Sequence, residues 1–362
     1  MGSEVRYVFG DLLTGQVIEE IDCSGVSLGD SLEGGEFRGT FYLDQTGKNN
    51  ADLAAATLPG KNFVVVERNS VPVWGGLVWS RTYQSQAKVA QLYAKTMDQY
   101  PSKRFITDDI TFTNVEQRNI FRQLYLNMQA DPNSPQIVLP PMAADANLID
   151  YSVAGSELRF YRDAFDELST TENGFEWHID IARVAGNYVW TLRMGAPTIG
   201  QPLSDSSIIF EYPGPILNYW QNDTIGGAGT NIFGVGAGEG EAMAQVEVVH
   251  TGLLSAGFPR YDQSVSLKNV SDQDSLEALT QIQAQVLKAP MPVFTVELKG
   301  GRDPDFGDWA LGDYSKLVIK DPMHPNGMTH PARILQWDYT PPSADGDEEY
   351  RLTFEGEDAD DG

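Results

Sequence analysis

Two short apolar runs joined by two residues constrain this chain more than anything else in it. Phe63–Arg68 and Val71–Tyr83 flank Asn69-Ser70, a connection of the length that β-hairpins favour. Pro72 donates no ladder hydrogen bond, so it belongs at the strand start or on an edge. Gly75-Gly76, inside Trp74–Trp79, predicts a bulge or sharp bend of the kind that curls a sheet into a barrel. The surrounding segments agree. Val5–Phe9, Gln16–Ile21, Phe37–Leu43 and Val89–Ala94 read as strands. Ala51–Leu58 reads as a short helix, capped by Asn49 or Asn50 and stopped at Pro59-Gly60.

The pattern changes near Asp108. Thr113-Asn114-Val115-Glu116 matches a capping box, and Ile120, Phe121, Leu124, Tyr125 and Met128 share the next helix's face. Asp131-Pro132 ends that helix. A second helix places Leu158, Tyr161, Phe165 and Leu168 on one stripe. The period then drops to two. Phe175, Trp177, Ile179 and Ile181 alternate with Glu176, His178, Asp180 and Ala182; after a Gly186-Asn187 turn, Tyr188, Trp190, Leu192 and Met194 alternate likewise. That is a hairpin with one apolar face, expected to pack on the preceding helix.

From Ile208 the chain is again rich in strands and loops. A glycine tract occupies Gly226–Gly240, a strand Gln245–His250, and a helix Ser271–Lys288 with Ser271 or Asp272 as its cap. Leu276, Leu279, Ile282 and Val286 are expected on that helix's buried face. Strands follow at Val293–Leu298, Lys316–Lys320, Ala332–Tyr339 and Tyr350–Phe354, ahead of an acidic, disordered tail.

Charge narrows the function. Twenty-five Lys and Arg face fifty-one Asp and Glu, a formal net charge of −26. Such a field repels phosphates, which argues against specific nucleic-acid binding. The single cysteine, Cys23, excludes an internal disulfide and suits a reducing compartment. Met1–Arg6 lacks the pattern of a signal peptide, and no apolar run is long enough to span a bilayer.

Motifs with catalytic spelling lack their structural context. Gly25-Val26-Ser27-Leu28-Gly29 matches the nucleophile elbow, which needs a strand running into a helix; Asp30–Gly35 reads as a loop, so Ser27 is a turn serine. Gly234-x-Gly236-x-Gly238-x-Gly240 has no Lys-Ser/Thr, and Glu239 and Glu241 would repel a phosphate. Asp305-Phe306-Gly307 lacks the rest of a kinase signature. Asp303, Asp305, Asp308 and Asp313 lack EF-hand spacing, and His324 and His330 have no Cys or second His pair for zinc. No catalytic, cofactor-binding or metal residue is assigned. Trp74, Trp79, Trp177 and Trp190 are read as core rather than as the wall of a sugar cleft.

The order and spacing of Ala51–Gly60, Val66-Glu67-Arg68, Val71–Tyr83, Asn173–Trp177, Asn231–Gly236 and Trp309–Tyr314 resemble minor tail proteins of long non-contractile-tailed bacteriophages, especially those of actinobacteria. The resemblance implies a baseplate or tail-tip hub without enzymatic activity or cofactor. It implies an α+β, β-rich fold with two tandem tail-tube-like β-barrels, residues 1–107 and 201–355. An α+β insertion, 108–200, lies between them, and 356–362 is the acidic tail. Three copies would form a pseudo-hexameric ring in the virion's tail tip, assembled in the host cytoplasm. Its partners would be a distal tail protein or tail tube above, other tail-tip proteins and the tape measure protein. Two other readings differ in kind: a tail protein whose exposed aromatics bind cell-wall glycan, and a cell-wall hydrolase using carboxylate pairs or Ser27.

Overall fold

The computed structural model describes residues 3–144, 146–171, 173–223, 228–238, 243–267, 270–288, 292–342 and 348–356. The first hundred residues give β1 (Val5–Asp11), β2 (Val17–Glu20), β3 (Ser24–Ser31), β4 (Glu36–Tyr42), α1 (Asn50–Ala56), β5 (Asn62–Arg68), β6 (Val71–Gln84) and β7 (Val89–Thr96), then a 3-10 turn at Met97–Lys103. Next come β8 (Ile110–Glu116), α2 (Gln117–Gln129), β9 (Leu148–Val153), α3 (Tyr161–Thr170) and the hairpin of β10 (Glu176–Val184) with β11 (Asn187–Gly195). The remainder gives β12 (Ile209–Tyr212), β13 (Ile216–Asn222), β14 (Asn231–Val235), β15 (Gln245–Val249), α4 (Thr251–Ser255), β16 (Asp262–Ser266) and α5 (Gln273–Val286). The last strands are β17 (Val293–Lys299), β18 (Tyr314–Ile319), β19 (Met328–Thr340) and β20 (Glu349–Gly356).

The protein is β-rich, with large antiparallel sheets. Its main sheet runs β2-β1-β5-β6-β7-β4-β3-β19-β20-β17-β13, with β18 beside β19 and β12 beside β18. The expected pair of separate closed barrels is not what is seen: among the described residues the sheet stays open, and β3 pairing with β19 joins its N- and C-terminal parts. Two long strands do the bending by changing partners. β6 pairs with β5 through Leu77 and with β7 from Gly76 onward. One stretch of β19, Met328–Arg333, pairs with β18, while Gln336–Tyr339 pairs with β3.

The β5–β6 hairpin turns as its spacing predicts, with φ of 52° at Asn69 and 65° at Ser70, the two positive values a primed turn needs. The bulges fall beside Glu67 and between Val78 and Ser80, not at the glycine pair. Gly75 and Gly76 serve close packing instead. A Cβ on Gly76 would sit 2.2 Å from the Lys95 carbonyl oxygen.

Chain contacts divide the protein into two compact units. The first holds residues up to Asn218 together with Val296–Phe354, and the second is built on Tyr219–Thr295. Within the first, residues 108–200 share one apolar core with the opening segment: Phe121, Leu124, Tyr125, Phe165, Trp177 and Trp190 cluster with Val8, Phe63, Val65 and Leu77. Burying an aromatic of this size contributes at most about 4–6 kcal/mol, from ~150–250 Å² at ~25 cal/mol per Å². In the second unit α5 packs on the sheet β15-β14-β16.

Several local expectations shift. Thr113 lies in β8, and Glu116 caps α2 with its own carboxylate on the Asn119 amide, because β8–β9 pairing carries the strand to Glu116. Leu158 sits before α3 with φ of 48° and is exposed. The hairpin turns at Ala185-Gly186. On α5 the buried positions are Leu276, Thr280 and Ala284, while Ile282 is exposed. Gly234 selects that face, since a Cβ there would meet Thr280 Oγ1 at 1.8 Å. The acidic tail from 357, Glu239 and Glu241 lie outside the described residues, as does the Val286 side chain.

Candidate functional site

The residues with the strongest electrostatic coupling gather where the β10–β11 hairpin meets the main sheet, all within the first unit. The apolar face of β10 points Trp177 and Ile179 into the core. The opposite pleat therefore carries Glu176, His178 and Asp180, as the period of two requires. Of these, His178 is buried, while Glu176 and Asp180 keep part of their surface in water. They meet charges from both ends of the chain.

Glu67 of β5 is fully buried and accepts hydrogen bonds from Arg6, from Arg183 Nη1 at 3.2 Å and from the Tyr188 hydroxyl at 2.8 Å. Further along, His178 Nε2 lies 3.3 Å from Asp30 Oδ2 and 3.9 Å from Asp180 Oδ1. Arg193 on β11 bonds Asp180 at 2.9 Å and donates to the Leu311 carbonyl at 3.2 Å. Glu176 meets Arg333 of β19 in a two-pronged pair, with Nη1 to Oε1 at 2.8 Å. Arg333 also donates from Nε to the Gly312 carbonyl at 3.1 Å. A fourth cluster closes the ring of charges. Arg68 Nε donates to Glu348 at 3.0 Å and Nη2 to Asp305 at 3.0 Å, while the Tyr339 hydroxyl donates to Glu348 at 2.9 Å.

A crevice of about 520 Å³ opens beside these groups, walled by Asp30, Trp74, His178, Asp180, Arg193 and Trp337 among others. Burial by itself pulls the His178 imidazole down, but Asp30, Asp180 and Asp98 together outweigh it and hold it above the ordinary 6.5. Burial pushes Asp30 up against the opposing pull of His178. Burial would also raise Asp305 and Glu348. For Asp305 the amides of Gly301 and Phe306 and the Arg68 guanidinium win; for Glu348, Arg68, Tyr339 and Ser3 win; both carboxyls end below their usual range.

These contacts fasten the β10–β11 hairpin to the main sheet. No serine, threonine or cysteine lines the crevice among the described residues. Ser27 is an exposed strand residue of β3 paired across from Arg38, with no helix after it, so the elbow geometry is missing and so is the expected turn. Asp30 is paired with His178 and Asp180 with Arg193. Asp305 and Asp313 spend their oxygens on backbone amides, and Asp308 accepts from the Asp305 amide. Among the described residues no group of three His, Cys, Asp or Glu is placed to hold a metal ion. Trp74, Trp309 and Trp337 are each less than a tenth exposed, so they present no stacking platform for a sugar. No described helix is long and apolar enough to cross a membrane.

Sequence reasoning did not find His178, Glu176, Arg333 or Glu67. The alternation assigned only the hairpin's apolar face, and nothing local signals a partner more than a hundred residues away.

No family model and no curated protein matches the sequence. Solved structures do match. A tail protein from Neisseria meningitidis aligns over 97% of this chain and 97% of its own, at 9% identity and a TM-score of 0.61. The 43 kDa tail protein of prophage MuSo2 from Shewanella oneidensis aligns over 96% and 98%, at 10% identity and 0.63. Prophage tail protein gp18 from Listeria monocytogenes aligns over 98% and 95%, at 10% identity and 0.58. From end to end, this chain has the fold of these tail proteins.

Proposed function

We propose that the chain is a structural component of a bacteriophage virion, the hub of the tail tip or baseplate, and not an enzyme. The observation that carries this reading is the end-to-end fold likeness to the Neisseria tail protein, which covers 97% of each chain. Two features of the sheet support it. The N-terminal and C-terminal parts each contain one long strand that changes partner midway, β6 and β19, and β3 ties the two parts together. On this reading each part would be a tube-type curled sheet, with residues 1–107 and 201–355 as the two halves and 108–200 as the insertion.

Three copies would place six such halves around one axis and match a six-fold tube, with each interface repeated by the symmetry. The ring would sit beneath the tail tube or a distal tail protein, in contact with other tail-tip proteins and the tape measure protein. The sequence resemblance points further to a siphovirus of actinobacteria, with assembly in the host cytoplasm. The net charge of −26 would give the channel a potential that repels DNA during ejection.

Native mass spectrometry and negative-stain class averages of the purified chain test the proposal. A trimer with a three-fold ring of six lobes is expected, and antibody labelling should mark the distal end of tails. A monomer at every concentration, or label along the tube, overturns the hub. A ring whose inner wall is neutral or basic overturns the electrostatic part alone.

A further inference from the structure

We infer that His178 is a proton-operated latch, which holds the β10–β11 hairpin to β3 while its imidazole is charged and loosens that joint when the ring is neutral. The geometry is specific. His178 belongs to the hairpin and Asp30 to β3, and their 3.3 Å contact bridges the two elements. Both side chains are close to fully buried, at 5% and 11% exposure, so water screens the pair weakly.

The carboxylates that act on the ring come from three elements, and the charged imidazole is the cation that faces Asp30. Asp30 comes from β3, Asp180 from β10 itself, and Asp98 from the Met97–Lys103 turn. Against these three carboxylates stand His178, Arg193 of β11 on Asp180, and Arg162 of α3 on Asp98. Arg68 and Asp308 line the same crevice. Loss of the imidazole proton removes the cation that faces Asp30, while Arg193 stays on Asp180 and Arg162 is shared between Asp98 and Asp166. Asp30 then keeps its hydrogen bond from the Ser31 amide but loses its charged partner. An unpaired buried carboxylate is costly, and it is relieved by letting water in.

The hairpin's other anchors are arginine and tyrosine donors. Arg183 and Tyr188 hold Glu67, and Arg333 holds Glu176. Arginine stays charged throughout, and burial raises Tyr188 further above its ordinary 10. His178 is the contact whose side chain is of the kind that changes charge near neutrality. The crevice opens beside it, so the ring exchanges protons without global unfolding.

The sign follows from linkage. A histidine held above 6.5 in the native state contributes stabilisation that is complete below pH 6.5 and disappears as pH rises through the native value. This latch is independent of the ring proposed above and stands or falls on the isolated chain.

Two measurements test it. Amide exchange of β10 and β11, corrected for the intrinsic rate, should show local opening that grows up to about tenfold per pH unit above 6.5 in the wild type. In His178→Gln, which keeps a donor but no titration, opening should not vary with pH. Imidazole nitrogen shifts give a readout that a purely structural role would not move. Of the four histidines, the resonance removed by His178→Gln should titrate above 6.5 in the wild type and fall in Asp30→Asn. Equal pH dependence of exchange in wild type and His178→Gln overturns the latch. So does a His178 resonance that titrates at or below 6.5.

Discussion

The guanidinium of Arg333 grips both carboxylate oxygens of Glu176, although 157 residues separate the two in the chain. The pair fastens the strand that joins the two parts of the main sheet to the hairpin of the insertion. Arg333 is 4% exposed, so removing it strands a partly buried carboxylate. Breaking a buried pair costs about 3–5 kcal/mol, and Glu176 retains some access to water; the expected loss for Arg333→Met is about 2–3 kcal/mol. Urea titration of Arg333→Met, Glu176→Gln and the double variant checks this. A coupling energy above about 1 kcal/mol is expected, and strictly additive losses would mean the clamp contributes nothing.

Acid should loosen the Arg68 cluster. Asp305 and Glu348 both have native values below the ordinary 3.8 and 4.5. Groups lowered in this way add stability above their unfolded values, and it is lost as pH falls through the native ones. The urea midpoint should therefore drop steadily below about pH 4.5. Asp305→Asn should start lower at neutral pH and show a shallower acid slope. An unchanged slope would place the acid sensitivity elsewhere.

The adjacent glycines of β6 should respond very differently to alanine. At Gly76 the new Cβ meets the Lys95 carbonyl oxygen at 2.2 Å, and backbone cannot rotate away. At Gly75 the nearest atoms are side chains of Ile181 and Trp190, 3.1 to 3.3 Å away. Gly76→Ala is expected to cost about 1–3 kcal/mol or more, and Gly75→Ala clearly less. Thermal melts of the two variants decide it, and equal shifts would contradict the packing described.

Phe121 lies at the centre of the shared core, its ring 4.2 Å from that of Phe165 and 5.2 Å from that of Trp177. Phe121→Ala should cost about 3–5 kcal/mol. Because Val8, Phe63 and Leu77 belong to the same cluster, the opening segment should lose protection together with residues 108–200. Hydrogen exchange in mild urea reads this directly. Loss confined to 108–200 would show that the insertion has its own separate core.

Much of the local structure was legible. The β5–β6 hairpin, the Asn49 cap of α1, the Asp272 cap of α5 and the two arms of the β10–β11 hairpin follow from turn chemistry and periodicity. β3 was not legible. Its sequence, Ser-Gly-Val-Ser-Leu-Gly-Asp-Ser, has the composition of a loop, with Gly25 at φ of 56° inside a register shift. It is a strand because β4 and β19 both offer it an edge. The face of α5 was misjudged for a similar reason: the approach of Gly234 to Thr280 outweighs the claim of Ile282 to be buried.

The sequence by itself determined where strands and helices alternate, which turns are tight, which pleat of each hairpin is apolar, and how acidic the whole is. Those properties depend on residues within a turn or two of one another. Only the tertiary structure decided that two β segments share a sheet, that residues 108–200 share a core with the first of them, that His178 and Glu67 are paired and buried, and that Glu176 is paired with Arg333. Charge pairing and edge pairing join residues a hundred or more positions apart, and their energy exists only once the chain has brought them within a few ångströms.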